Sequence, residues 1–366
     1  MNKNLKIPRA MIVLSMLTIA VFGPPVKICG KPITGIQVEA SEYKTLYYDN
    51  GVYYGETIGN KPNGYGTFET ESGVYYEGEW YNGIKTGSGK QTWPSGEIYD
   101  GEWENNRRNG YGTDRYSNGD IYTGYFENDK RNGYGCCEFA DGRIYEGNWV
   151  NGKRSGTGYL KYANGDTYEG SWQNDKLNGY GVYTWADGRY YQGNFVNGLK
   201  SGNGYFKWTN GNTYDGQWKN DKKNGYGTMT YANDEKYAGQ WNNDSKSGSG
   251  KYYYRNGSVY DGNWVNGKRS GQGTLTLKNG DKYVGQWKND DRNGYGKYYG
   301  KDGSYYEGNW ANGKMSGKGK LKTPKGVTYD GEWKNGQMNG KGTLTSADGT
   351  KHTGTFKNGE LVKLDS

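Results

Sequence analysis

The chain has 366 residues, a length that suggests two or three globular domains, but its composition excludes ordinary ones. Gly supplies 65 residues and Tyr 39, while Phe supplies only 7, and the mean hydropathy is −1.13. No conventional core of Leu, Ile and Val can form, yet 16% aromatic residues is far more than a disordered linker carries. The net charge is +8, and residues 1–40 hold half of it through five basic residues and one acidic residue. The rest of the chain is only mildly basic, which argues against nucleic-acid binding.

The first forty residues are typical of a targeting segment. A basic start, MNKNLKIPR, is followed by the apolar stretch Ala10–Phe22, which is shorter than the ~20 residues of a membrane-spanning helix. Val38, Glu39 and Ala40 fit the small-residue pattern of a cleavage site. We therefore predict a signal peptide over 1–40 and an exported chain, secreted or associated with the cell surface. Because the stretch from Phe22 to Ala40 is long for a cleavage region, an uncleaved membrane anchor is the alternative.

From Tyr53 onward the sequence repeats every 23 residues without an insertion or deletion, and thirteen units fill 53–351. The unit at Tyr145 reads YEGNWVNGKRSGTGYLKYANGDT, and we number its positions 1 to 23. Position 1 is Tyr in all thirteen units, position 3 is Gly, position 5 is Trp in ten, and positions 12 and 14 are Gly. Residues 352–366 form a partial unit that serves as a C-terminal cap, and residues 41–52 are expected to form a leading strand that caps the other end. A fixed period of this size is the signature of a repeat architecture.

Each unit is expected to form a β-hairpin. Positions 1, 3 and 5 fall on one face of a strand, while positions 2 and 4 fall on the other face and are mostly polar. Asn at position 7, often followed by Gly or Asp, favours a type I′ turn. Gly at position 3 leaves room for aromatic rings from adjacent strands to lie over the backbone, and the glycines at positions 12 and 14 allow sharp twist and close approach. Units with N-D-x-x-N-G-Y-G partly alternate with units with N-G-x-x-S-G-x-G, which suggests that hairpins touch their neighbours in two ways.

The pattern Y-x-G-x-W-x-x-G-x-x-x-G-x-G, seen at Tyr145–Gly158 and throughout 53–366, resembles the MORN repeat family. The resemblance implies an all-β, elongated, open, solenoid-like antiparallel sheet of tandem hairpins, about 9.6 Å per repeat and roughly 120 Å in total. It also implies roles in membrane attachment, scaffolding and self-association. Some family members carry a separate catalytic domain, for which we find no space here. Position 8 departs from the family Gly in about half of the units.

The sequence contains few residues of the types that catalyse reactions. The single His, His352, stands where Tyr opens the other units, so we assign it a structural role. Cys29 lies in the predicted targeting segment, and Cys136 and Cys137 are adjacent on a strand and would point to opposite faces, which disfavours a metal site. They are best interpreted as small strand residues, with a redox role as the alternative. We predict no enzyme activity, no catalytic residue, no cofactor and no metal.

One charge pattern remains, at positions 9 and 10 beside the type I′ turn. The repeat would place these turns along one edge of the sheet, so their basic residues form a candidate binding edge for anionic lipid headgroups, teichoic-type polymers or an acidic protein. Solvated turns that keep the edge soluble are the alternative. The residues are Lys85, Arg107, Arg108, Lys130, Arg131, Lys153, Arg154, Lys200, Lys222, Lys223, Lys268, Arg269 and Arg292.

The sequence as a whole predicts a non-catalytic, exported scaffold that offers an interaction surface to a protein partner or to a second copy of itself. The alternative is a cell-envelope binder of anionic lipid or wall polysaccharide, which would use the basic edge and exposed aromatic rings. No nucleic-acid partner is expected.

Overall fold

The computed structural model describes residues 40–365, and the targeting segment predicted over 1–40 falls almost entirely outside them. The described chain forms one sheet of 29 strands. Each strand pairs antiparallel with the strand before it and the strand after it, as β10 does with β9 and β11. The predicted all-β, open sheet of tandem hairpins is confirmed.

The strands are short and regular. The first is β1 (Glu42–Tyr48), which pairs with β2 along its whole length. The others are β2 (Gly51–Ile58), β3 (Lys61–Thr70), β4 (Tyr75–Tyr81), β5 (Ile84–Thr92), β6 (Ile98–Glu104), β7 (Arg107–Arg115), β8 (Ile121–Glu127), β9 (Lys130–Glu138), β10 (Ile144–Val150), β11 (Lys153–Lys161), β12 (Thr167–Gln173), β13 (Lys176–Thr184), β14 (Tyr190–Val196), β15 (Leu199–Lys207), β16 (Thr213–Lys219), β17 (Lys222–Thr230), β18 (Lys236–Asn242), β19 (Ser245–Tyr253), β20 (Val259–Val265), β21 (Lys268–Thr276), β22 (Lys282–Lys288), β23 (Asp291–Tyr299), β24 (Tyr305–Ala311), β25 (Lys314–Lys322), β26 (Thr328–Lys334), β27 (Gln337–Thr345), β28 (Lys351–Lys357) and β29 (Glu360–Leu364).

Two kinds of turn connect the strands. From the second repeat onward, the turn inside the hairpin has positive φ at both central residues, for example 53° at Asn82 and 83° at Gly83, which is the predicted type I′ geometry. The turn between hairpins is closed by a hydrogen bond from the N–H of position 21 to the carbonyl of position 18, at 2.9 Å for Gly96 and Trp93. Gly96 has a φ of 88°, which explains the glycine at that position.

The core is a ladder of alternating Tyr and Trp rings on one face of the sheet, which we call the aromatic face. From the second unit onward, each position-1 Tyr packs edge-on against the position-5 ring of its own unit and that of the next, as Tyr145 does at 5.1 Å from Trp149 and 5.3 Å from Trp172. The Trp172 indole N–H donates to the carbonyl oxygen of Gly158 in the preceding unit, at 3.2 Å. All thirteen position-1 tyrosines are 0–2% exposed, so this single aromatic layer replaces an aliphatic core.

The glycines make room for these tyrosines. The Tyr145 ring lies over Gly147 and Gly158, which face each other across the hairpin, and its hydroxyl donates to the carbonyl oxygen of Asn148 at 3.0 Å. A Cβ on Gly158 would come within 2.4 Å of that hydroxyl oxygen. A ring does cover the position-3 glycine, but the expectation that it comes from an adjacent strand is wrong, because Tyr145 and Gly147 lie on the same strand, β10.

The glycine at position 12 has a different role. Gly156 has a φ of 78°, and the pairing of β10 with β11 shifts register next to it, between Gly147 and Trp149. This bulge bends every hairpin in the same way, because position 12 is Gly in all of them. Of the two predicted roles, the glycine at position 12 therefore allows the sharp twist of the backbone, and the glycine at position 14 allows the close approach of the tyrosine ring.

Candidate functional site

The position-10 side chains lie on the aromatic face, over the core rings. Arg154 has its guanidinium carbon 4.5 Å from the centre of the Trp172 ring and 5.6 Å from that of Tyr145. Arg131 and Arg292 repeat this arrangement at 4.2 Å from Trp149 and Trp310, respectively. Each of these cations is half-buried and is held by cation–π attraction in a partly desolvated setting.

Aspartates at position 8 of the next unit form ion pairs with several of these cations. The Arg154 Nε lies 3.0 Å from Oδ1 of Asp175, which also accepts a hydrogen bond from the Arg154 backbone N–H at 3.1 Å. Lys200 and Arg269 have equivalent aspartate partners in their neighbouring units. Units with Gly at position 8, such as Gly152, have no carboxylate there, and their contacts to the preceding arginine are hydrogen bonds of the glycine backbone. These are the two kinds of neighbour contact that the alternating sequence suggested.

The structure thus divides the predicted basic edge into two sets, because adjacent strand residues point to opposite faces. The position-9 members are exposed and have no carboxylate partner within the described residues, and we call them the exposed basic edge. They are Arg107, Lys130, Lys153, Lys222 and Lys268. The position-10 members are half-buried over the core rings. They are Lys85, Arg108, Arg131, Arg154, Lys200, Lys223, Arg269 and Arg292.

Two further features of the aromatic face lie outside the predicted binding edge. Lys246 belongs to the position-10 set and lies 4.3 Å from the Trp264 ring. Position 18 carries half-buried aromatic residues in eight consecutive units, and the position-10 cation of the next unit reaches toward them, as Arg108 does toward Trp93 at 5.8 Å. The sequence indicates the placement of the position-18 residues, since position 18 lies two residues beyond position 16 and therefore on the same face.

The opposite face exposes a row of tyrosines at position 13, which we call the tyrosine row. Its members are 47–60% exposed, so they are the most regular set of accessible rings in the described chain. Some of their hydroxyls donate to a carboxylate at position 2 of the next unit, as Tyr134 does to Glu146 at 2.7 Å. The row comprises Tyr65, Tyr111, Tyr134, Tyr180, Tyr226 and Tyr295.

Nucleophilic and metal-binding chemistry is weak in the described part of the chain. Cys137 is buried on the aromatic face and Cys136 is only partly buried, and both thiols are free. Burial raises the pKa of the Cys137 thiol to about 11, which keeps it protonated and unreactive. Among residues 40–365, no cluster of His, Cys, Asp and Glu could hold a metal ion, and no helix is long and apolar enough to cross a membrane.

The fold and these surfaces define a tandem β-hairpin repeat protein that offers repeated surfaces for binding. The chain belongs to the MORN repeat family, whose pattern matches it thirteen times. The matched segments are 53–75, 76–98, 99–121, 122–142, 145–167, 168–188, 191–213, 214–236, 237–259, 260–282, 283–305, 306–328 and 329–351. A comparison with curated proteins gives no match.

Several solved structures show distant likeness. The TCP domain of SAS-4 from Drosophila melanogaster, in complex with a proline-rich motif of Ana2, is 18% identical over 43% of this chain and 85% of that chain, with a TM-score of 0.27. The TCP10 domain of Danio rerio CPAP, in complex with a STIL peptide, is 10% identical over 75% of this chain and 97% of that chain, with a TM-score of 0.22. A virginiamycin B lyase from Staphylococcus aureus is 10% identical over 85% of this chain and 97% of that chain, with a TM-score of 0.14. TM-scores this low carry no conclusion about function.

Proposed function

We propose that this MORN-repeat chain is an exported, non-catalytic scaffold that holds a protein partner along its tyrosine row. The observation that carries the proposal is the exposure of six tyrosines at the same position of the repeat, on the face opposite the core. Tyrosine is enriched at protein interfaces because it supplies a large contact area and a polar tip at a low cost in conformational entropy. Repetition at intervals of about 10–30 Å suits a long partner or several copies of a short one.

The aromatic face is less available to a partner, and this supports the choice of the opposite face. Its tyrosines and the position-5 tryptophans are buried, so they cannot stack on a sugar ring or on a partner. Its cations lie over these rings, and several, such as Arg154 and Arg269, already have an aspartate partner. Breaking such half-buried ion pairs would cost more free energy than a surface contact with a partner would provide.

The second candidate function is a cell-envelope binder of anionic lipid or wall polysaccharide. The exposed basic edge favours it, since its five residues face solvent without a carboxylate partner among the described residues. Such binding would be electrostatic and would weaken steeply with salt.

One experiment separates the two candidates. The full chain is compared with two multiple variants in co-sedimentation with isolated cell envelopes and anionic liposomes, and in quantitative capture of extracellular and envelope proteins, across a salt series. In the first variant the six tyrosines of the row become Ser, the residue that Ser88 and Ser249 already supply at position 13. In the second variant the five residues of the exposed basic edge become Gln, which Gln337 supplies at position 9.

Loss of a captured protein in the tyrosine variant alone, at moderate salt, supports the scaffold. Loss of envelope or liposome binding in the edge variant alone, together with salt sensitivity, supports the second candidate instead. Binding that neither variant changes would reject both surfaces. Export is tested separately by mass spectrometry of the mature N-terminus, where a start at Ser41 supports cleavage and retention of Ala10–Phe22 supports the anchor.

A further inference from the structure

A cleft of about 550 Å³ opens on the aromatic face between the first and second repeats. Phe68, Tyr76 and Trp80 supply aromatic rings to its lining, and Lys61 and Lys85 supply its only charged groups. A volume of this size lies within the range of small-molecule sites. The cleft is independent of the tyrosine row, which lies on the other face of the sheet.

The cleft exists because the first repeat departs from the pattern at two positions. The eight repeats that follow have a ring at position 18, which can approach the position-10 cation of the next unit, as Trp93 does with Arg108 at 5.8 Å and Trp185 with Lys200 at 5.8 Å. The first repeat has Thr70 at position 18, so no ring covers the face beside Lys85. Its position 10 is Pro62, so no cation fills the gap from the other side.

Lys85 is a half-buried cation that lines this cleft. Its ammonium nitrogen lies 4.4 Å from the centre of the Tyr76 ring and donates to Oε1 of Gln91 at 2.5 Å. Unlike Arg154 or Lys200, it forms no salt bridge with a carboxylate in the described chain. The cleft lining contains no Asp or Glu, so its charge is entirely positive. A half-buried ammonium group with one neutral acceptor has donors left for an anion.

We propose that this cleft binds a small planar aromatic molecule that carries one carboxylate. The ring of the ligand packs against Phe68 and the exposed Tyr48, which also lines the cleft, in the place that a position-18 ring occupies elsewhere, and its carboxylate accepts hydrogen bonds from the Lys85 ammonium. The proposal goes beyond the scaffold function and does not rest on it, since a scaffold needs no occupant at this end of the aromatic face.

The test uses the full chain and 6-fluoro-2-naphthoate as the probe, with binding followed by fluorine NMR line broadening. The wild type should bind the probe at one site. Thr70→Trp should weaken binding by at least about tenfold, because the new ring fills the cleft. The matched control is Thr323→Trp, which adds the same ring at position 18 of the repeat at Tyr306, far along the sheet, and should leave binding unchanged.

A third variant tests the charge. Lys85→Gln should weaken binding of 6-fluoro-2-naphthoate by about tenfold but change binding of its neutral methyl ester much less. Hydrogen exchange over β3 to β5 checks that each variant is folded. Equal probe binding by the wild type, Thr70→Trp and Lys85→Gln would overturn the proposal, as would a failure of the folded wild type to bind at millimolar probe.

Discussion

Asp114 accepts a hydrogen bond at 2.6 Å from Nη1 of Arg108, beneath the surface of the aromatic face. Asp114 is fully buried at position 16, where other units place Leu160 or Phe206, and its second carboxylate oxygen has no hydrogen-bond partner. Arg108 also reaches Glu97 at 3.3 Å. This buried ion pair interrupts an otherwise apolar and aromatic layer, and it makes the stability of the third repeat sensitive to pH.

The direction of that pH effect follows from the pKa of Asp114. The pKa is raised from 3.8 to about 6, chiefly by burial and also by Glu97, while Arg108, Tyr116 and Arg131 oppose the rise. The folded state therefore binds the proton more readily than the unfolded state, so the free energy of unfolding should increase as pH falls from 7.5 to 4.5, on the order of 2 kcal/mol.

Asp114→Asn keeps the shape of the side chain but does not titrate, so it should lack this increase. Urea unfolding of both proteins at several pH values, with hydrogen exchange over β6 to β9, measures the difference. If the difference between the two proteins is the same at pH 7.5 and pH 4.5, the raised pKa is wrong.

Gly158 should tolerate no side chain, because the Tyr145 ring lies directly over it. Gly158→Ala places a Cβ within 2.4 Å of the tyrosine hydroxyl oxygen and should lower stability by about 2–3 kcal/mol. The matched control is Gly152→Asp in the same hairpin, where the added Cβ meets nothing within 4 Å and where other units carry Asp with a φ of 66–76°. We expect the control to cost less than about 1 kcal/mol.

Local hydrogen exchange over β10 and β11 is the most direct measurement, because each repeat contacts only its neighbours and the loss stays local. Equal protection in Gly158→Ala and Gly152→Asp would contradict the packing of Tyr145 over the glycine pair.

The fold could be predicted from the sequence because the same residue pattern occurs in thirteen consecutive repeats. Tyr at position 1 and Trp at position 5 share a face, and Asn-Gly fixes the turn, so period and propensity agree. The predicted binding edge combined Lys153 and Arg154, although the side chains of neighbouring strand residues point to opposite faces of the sheet. The cleft beside Lys85 could not be predicted in the same way. It depends on the missing ring at Thr70, which matters only when two consecutive repeats are packed together.

The position-5 tryptophan should contribute mainly through packing. Trp172→Phe keeps a ring between the two tyrosines but loses the hydrogen bond to the Gly158 carbonyl oxygen, and it should cost about 1 kcal/mol, in keeping with Phe126 and Phe195 at the same position. Trp172→Ala opens a cavity between Tyr145 and Tyr168 and should cost about 3–5 kcal/mol. Urea unfolding of the two variants tests the order, and equal losses would show that the hydrogen bond dominates.

Binding in the cleft should depend on pH through Lys85. Burial lowers the pKa of the Lys85 ammonium to about 8, so in the free protein it loses its proton between about pH 7 and pH 9. A bound carboxylate favours the charged form, so affinity for 6-fluoro-2-naphthoate should be highest at pH 7 and fall as pH rises through about 8. Lys85→Gln should bind more weakly at pH 7 and show no such fall, because its amide does not titrate. A wild-type affinity that stays constant from pH 7 to pH 9 would mean that the ammonium group does not contact the carboxylate.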